Sequence, residues 1–391
     1  MHRPSSLVAS TLALALAATQ PVPASAQAVQ ADLYIDVATH TMPGMGGIGA
    51  LGRMAGAMSG GNASYGQARH PGMPGKYLDV ALDNRRRPGA PASQSIPDGL
   101  RLGDRIDLLA PQHKQAHAVP ESSAAGGQGL ADGGPYTIHY YWGCGEQVRA
   151  GQPAKYTLTV RNGKPIQGGR TMAPRNVPQH GVDPGPTHAL WPNQSSRKSV
   201  SAKASLVGTH RVSGDGLPDA MQFELGRDHD FLPELKLENA GSAEQGMALR
   251  WNGVDGARAY FIHATAMDGN TIVMWSSSED GYAGPELIDF LPEQLVTQWT
   301  GKRTLLGADA RSCQVPREVF AGSGGAPMVQ MVAYGNQRTI SQPGWRVHVR
   351  NKSTAMLMPS AGAIAPGASQ DAAKPTAKDS AKGVLRGLFG R

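Results

Sequence analysis

Beyond its first residues, no stretch of this sequence approaches the roughly 20 apolar residues that a membrane-spanning helix needs. The mature chain is therefore expected to be soluble or peripherally attached. Cysteine is scarce, with Cys144 and Cys313 the two in the chain. No cysteine pair has zinc-binding spacing and no His-Glu-x-x-His run occurs, which removes the common zinc arrangements. No cysteine follows the N-terminal apolar run closely, which argues against a lipoprotein anchor. Aromatic residues make up 6% of the chain while glycine reaches 50 residues. That balance predicts that part of the chain lacks a packed core. Arg391 ends the chain, so its terminus does not resemble the aromatic-ended last strand of an outer-membrane barrel.

The N-terminus carries a short positive start at Arg3, an apolar run from Leu7 to Ala18, and the small-residue triplet Ala24-Ser25-Ala26. These are the three parts of a secretory signal peptide. The expected signal is 1–26, cleavage follows Ala26, and the mature chain starts at Gln27. A periplasmic or secreted address follows. Lys and Arg total 37 against 30 Asp and Glu. That excess, spread along the chain, is a solubilising surface charge or a weak attraction for anions. Outside the cytoplasm, nucleic acid is not an expected partner, whereas an envelope protein, an acidic glycan or a lipid headgroup is. An oxidising compartment allows Cys144 and Cys313 to form a disulfide. Two separate buried thiols are the alternative.

Residues 27–75 read as poorly ordered. Their Gly/Met-rich run carries Gly52, Gly56 and Gly60 at four-residue spacing, but so many glycines weaken a helix. Within 76–111, Leu78, Val80 and Leu82 alternate with polar neighbours, and Leu100, Leu102, Ile106 and Leu108 share one parity, which predicts short β segments. A linker covers 112–134. In 135–240, Tyr136, Ile138, Tyr140 and Trp142 alternate, as do Tyr156, Leu158 and Val160, and Asn162-Gly163 marks a tight turn. Further strands are expected at Val200–Val207, Met221–Leu225 and near Leu235–Leu237, with a loop at 168–195. The first β-sandwich is placed at 135–240. Region 243–357 predicts strands at Met247–Trp251, Ala257–Ala264, Thr271–Trp275, Pro327–Tyr334 and Trp345–Val349, with a short helix at Pro292–Trp299. The tail, 358–391, is disordered in character. It ends in a basic, apolar peptide from Lys382 that would contact an anionic membrane surface or a groove on a partner.

Leu249-Arg250-Trp251, Gly256-Ala257 and Tyr260-Phe261-Ile262 resemble the opening strands of a fibronectin type III domain, and Val329 to Tyr334 is similar to a late strand of that fold. The resemblance covers about 246–350. It implies a seven-strand sandwich with Trp251 and Tyr260 in its core, and a family that serves mostly as spacers and binding modules. The fold class expected is thus mainly β: two Ig/fibronectin III-like antiparallel sandwiches between a disordered Gly/Met-rich N-terminal segment and a disordered basic tail. The overall layout also resembles secreted proteins of Gram-negative bacteria.

Chemistry-bearing motifs are sparse. Ser323, in a Gly-rich loop, is followed by a strand rather than the helix a nucleophile elbow requires. Ser195 and Lys198 lie in a polar loop. Asp228, His229 and Asp230 read as a solvated loop. His40, Met42, Met45, Met54 and Met58 offer thioether and imidazole ligands suited to copper. Tyr141 and Trp142 are candidates for glycan stacking, on opposite strand parity. The expected role is a non-catalytic binding or scaffolding protein of the cell envelope. A periplasmic copper-binding protein, a carbohydrate-binding module and an enzyme with a loop-assembled site remain as alternatives.

Overall fold

The computed structural model describes residues 28–43, 63–69, 73–111, 131–178, 185–219, 221–323 and 326–357. The expected signal 1–26, the tail 358–391, residues 112–130 of the expected linker, and Met45, Met54 and Met58 lie outside them. The N-terminal strands are β1 (Ala31–Thr41), β2 (Gly75–Asn84), β3 (Ala92–Ser95) and β4 (Arg105–Leu108). A meander follows: β5 (Gly133–Trp142), β6 (Ala154–Arg161) and β7 (Lys164–Gly168). Its β6–β7 turn is the expected Asn162-Gly163, with φ of 52° and 70°, the left-handed pair that a tight hairpin demands. Then come β8 (His188–Trp191), β9 (Gly208–Gly214), β10 (Gln222–Leu225), β11 (Leu237–Ser242), β12 (Gly246–Trp251), β13 (Ala259–Asp268) and β14 (Thr271–Ser276). The chain continues through helix α1 (Glu293–Gly301), β15 (Leu306–Gly307), β16 (Ser312–Val315), helix α2 (Arg317–Phe320), β17 (Met328–Gln342) and β18 (Trp345–Leu357).

One eleven-stranded sheet runs in the order β7-β6-β5-β14-β13-β17-β18-β1-β2-β8, with β15 pairing to β13. Two smaller sheets, β10-β9-β3-β4 and β11-β12-β16, cover one face of it. Under the first, Leu33, Ile35 and Val37 of β1 meet Val347 and Val349 of β18, Ile106 and Leu108 of β4, and Phe223 of β10. Under the second, Trp251, Tyr260, Ile262 and Trp275 pack with Met331, Ala355 and Leu357. Residues 347, 349, 355 and 357 share one parity, so a single strand supplies both cores from the same side. Cys144 and Cys313 form a disulfide that ties the end of β5 to β16. Beside it, Gly143 has φ of 93°, and the Arg149 guanidinium passes where a side chain would stand.

Several expectations are corrected. Residues 31–41, read as part of a poorly ordered segment, form the interior strand β1, hydrogen-bonded to β2 and, in parallel, to β18. Its partner lies more than 300 residues away along the chain, beyond the reach of local pattern reading. The two sandwiches at 135–240 and 243–357 do not stand as separate units. β5 pairs with β14, β8 pairs with β2, and β9 pairs with β3. The boundary near 240 falls inside β11, which makes a hairpin with β12. Residues 201–207 are a turn and coil rather than a strand. Ser201 closes that turn through its carbonyl, which accepts from Ala204 N, and its hydroxyl, which accepts from Lys203 N. The expected loop at 168–195 contains β8. The helix expected at 292–299 is present as α1, and the strands expected across 247–349 are present.

Candidate functional site

The face of the large sheet opposite the two small sheets carries an unusual density of charge. It arises from simple alternation. In β1, Leu33, Ile35 and Val37 point to the core, so Asp32, Tyr34, Asp36 and His40 take the other face. In β18, Val347 and Val349 point inward, so Arg346, His348, Arg350 and Lys352 take the same outer face. Parallel register sets Asp32 opposite Arg346, Tyr34 opposite His348 and Asp36 opposite Arg350. Antiparallel register sets Asp36 opposite Asp79 of β2. A bulge in β17 at Gly335-Asn336, opposite Asn351, flips that strand's parity and brings Thr339 and Ser341 beside His348 and Arg346.

One end of this face is buried. Arg350 forks onto Asp36 through Nε at 2.5 Å and Nη2 at 2.7 Å. Arg69 forks onto Asp289 Oδ2 at 2.9 and 2.7 Å. Lys352 Nζ donates to Arg69 O at 2.9 Å, Ile288 O at 3.2 Å and Asp289 Oδ1 at 3.3 Å, using all three of its donors. The Phe290 ring sits 4.3 Å from the Arg350 guanidinium carbon and 4.4 Å from Lys352 Nζ. Asp79 accepts from Ala68 N at 2.9 Å, while its Oδ1 has no hydrogen-bond partner among the described residues. Burial pushes the Asp79 carboxyl up to about 8, helped by the nearby Asp36 carboxylate. It also pulls the Lys352 amine down to about 8 against the opposing pull of Asp289. Burial would raise Asp289 too, but Lys352, Arg69 and Arg350 outweigh it and hold that carboxyl well below the usual range.

The other end is open. Asp32, its side chain fully buried, binds Arg346 through Nε at 2.7 Å and Nη2 at 3.1 Å, Arg85 Nη2 at 2.7 Å, and His348 Nε2 at 2.9 Å. Burial acts to raise this carboxyl, yet the bonds from Arg346 and His348 outweigh it and hold it below its ordinary value. His348 stacks on Tyr34 with ring centres 4.7 Å apart, and its Nδ1 meets Thr339 Oγ1 at 3.1 Å. Arg346 and Arg85 are 37% and 48% exposed, so both present guanidinium edges to solvent.

The other sequence candidates are dispersed. His40 is buried in β1, with Nδ1 on Thr354 Oγ1 at 2.7 Å and Nε2 on Gln67 O at 3.0 Å, so both ring nitrogens are engaged. Met42 follows β1 and is half-buried. Among the described residues, no group of three or more His, Cys, Asp or Glu is placed to hold a metal. Tyr141 packs toward the core under β11-β12-β16, whereas Trp142 faces the other way and stacks on Tyr140 at 5.6 Å, so the two form no common stacking surface. Asp230, read as solvated, turns inward to accept from Ser205 Oγ, Leu206 N and Phe231 N. Ser323 Oγ donates to Phe320 O. The charged face itself was missed, although Arg346-x-His348-x-Arg350-x-Lys352 is a period-two signal. Its mates Asp32, Asp36 and Asp79 come from strands that only the fold brings alongside.

No protein-family model, curated protein or solved structure matches this chain.

Proposed function

We propose that the protein is a secreted or periplasmic, non-catalytic binding or scaffolding protein of the cell envelope, released by cleavage after Ala26. The observation that carries this reading is the open end of the charged face. Its donors stand on strands braced by two packed cores, and the buried Asp32 carboxylate fixes their orientation. A pre-oriented polar surface on a stiff sheet suits recognition, because little freedom is lost on binding. The buried end works differently. Its Arg350–Asp36 and Arg69–Asp289–Lys352 ions satisfy one another and brace β1 against β18.

Two features support the compartment and the domain type. The disulfide fits an oxidising environment. Strands β11 to β14 and β16 to β18 form a three-on-four sandwich, with Trp251 and Tyr260 in contact at 5.7 Å in its core, in keeping with a fibronectin III-like module extended by neighbouring strands.

Mass spectrometry of the protein recovered from fractionated host cells tests the reading. The expected result is a chain beginning at Gln27 in the periplasm or medium, and purified protein that co-sediments with isolated envelopes. A cytoplasmic chain retaining residues 1–26, or protein with no affinity for envelopes, would overturn it.

A further inference from the structure

We infer that Arg85, Arg86 and Arg346 form a subsite for the carboxylate groups of an acidic polysaccharide. This rests on the envelope-binding reading above and names its ligand.

Three observations converge. First, the distances of Arg85 Nη2 and Arg346 Nη2 to the same Asp32 oxygen, 2.7 and 3.1 Å, keep these two nitrogens within about 6 Å of each other. Two guanidinium groups that would repel in isolation are clamped side by side by one buried carboxylate. Second, the clamp leaves donors unused. Arg346 spends Nε and Nη2 on Asp32, and its Nη1 has no partner among the described residues. Arg86, exposed on the next residue after Arg85, makes no side-chain bond among the described residues. Arg87 is 64% exposed and pairs with Asp215 at 3.2 Å. Third, the nearby anions sit beneath or beside these donors. Asp32 lies fully buried under them, and Asp83 lies 3.7 Å from Arg85 Nε. The planar guanidinium fork matches a carboxylate in geometry as well as charge.

A polysaccharide is favoured over a lipid surface by what surrounds the arginines. Across β18, Ser341 and Thr339 present exposed hydroxyls in the cross-strand rows of Arg346 and His348, the donors and acceptors that sugar hydroxyls need. The large apolar side chains exposed among the described residues are Met73, Ile166, Val207 and Met267, and none lies on β1, β2, β17 or β18. Among the described residues this face therefore carries no membrane-inserting edge.

The test is binding of the full mature protein to polygalacturonate by isothermal titration at low and high salt. Neutral dextran and vesicles of one-quarter phosphatidylglycerol serve as comparators. Expected are binding to polygalacturonate that weakens with salt, none to dextran, and a loss of about tenfold for Arg86→Glu. Arg86→Glu should keep the fold, because the side chain it replaces is exposed and makes no hydrogen bond or ion pair among the described residues, and circular dichroism verifies this. Arg346→Gln, which leaves Asp32 with Arg85 and His348, provides a second reading with the same expected direction. Equal affinity of wild type and Arg86→Glu, no polygalacturonate binding at all, or binding to vesicles alone would each overturn the inference. Envelope co-sedimentation run in parallel separates the two claims. If it persists without polygalacturonate binding, the envelope reading stands and only the ligand is wrong. If it is lost as well, both fall.

Discussion

Arg350 and Asp36 show how strongly single residues are committed on the outer face. Both side chains are at most 7% exposed and each is the other's main partner. Removing one leaves an uncompensated buried charge. Arg350→Met should cost about 3–5 kcal/mol of unfolding free energy in urea titrations. Asp36→Leu combined with Arg350→Met should cost clearly less than the single change, since no lone ion remains. A double variant weaker than the single one would contradict this. Asp79 offers a pH test. Its folded carboxyl titrates at about 8 because of burial, whereas an unfolded aspartate titrates near 3.9. Between those values the folded chain holds a proton that the unfolded chain has released. The stability tied to this group is therefore complete below about pH 4 and is lost as pH rises toward 8. Asp79→Asn abolishes that titration. Relative to wild type, the variant should gain stability steadily from pH 4 to 8, and a pH-independent difference would refute the assignment.

Among the elements, β1 and β18 matter most. β1 lies between β18 and β2 and contributes Leu33, Ile35 and Val37, all fully buried, to the core under β10-β9-β3-β4. Leu33→Ala should therefore cost about 2–5 kcal/mol. β7 is the contrast. All five of its residues are exposed, and Ile166 is 48% exposed. Ile166→Ala should shift stability by no more than about 0.5 kcal/mol. Parallel denaturant curves for the two variants measure both, and comparable losses would mean that the burial of β1 is not what stabilises the sheet. β18 carries its load through length. Its first half closes one core and its last residues close the other, while the β17 bulge, held by Asn351 Oδ1 accepting from Asn336 N at 2.7 Å, lets the partner strand change face between them.

Across the whole molecule, the long sheet makes one body of what would otherwise be two sandwiches. The disulfide reinforces this by linking residues 169 positions apart. Chain-entropy reasoning assigns closure of so long a loop about 2–5 kcal/mol. Cys144→Ser combined with Cys313→Ser should therefore lower the unfolding free energy by that amount under non-reducing conditions. Reduction of the wild type should reproduce the loss, and no change in either experiment would show that the surrounding packing already closes the loop.

Local information in the sequence determined much of the secondary structure. The alternation of Tyr136 to Trp142, the Asn162-Gly163 turn, the strands between 247 and 349 and the helix after Pro292 all follow from side-chain period and turn chemistry, which act over a few residues. The pairing of Cys144 with Cys313 also agrees with the expectation from an even cysteine count in a chain expected to be secreted. The same alternation is present in Ala31 to Val37, yet the Gly/Met-rich run that follows masked it. Tertiary structure alone decided which strands became neighbours. β1 finds β18, β5 finds β14 and β8 finds β2 across long stretches of chain, because each has an apolar face to bury: β1 and β8 under the small sheet β10-β9-β3-β4, and β5 with β6, β14 and Met172. The charged face follows from that choice. Asp32, Asp36 and Asp79 are unremarkable in sequence, and become parts of a site only when register sets them opposite Arg346, Arg350 and one another.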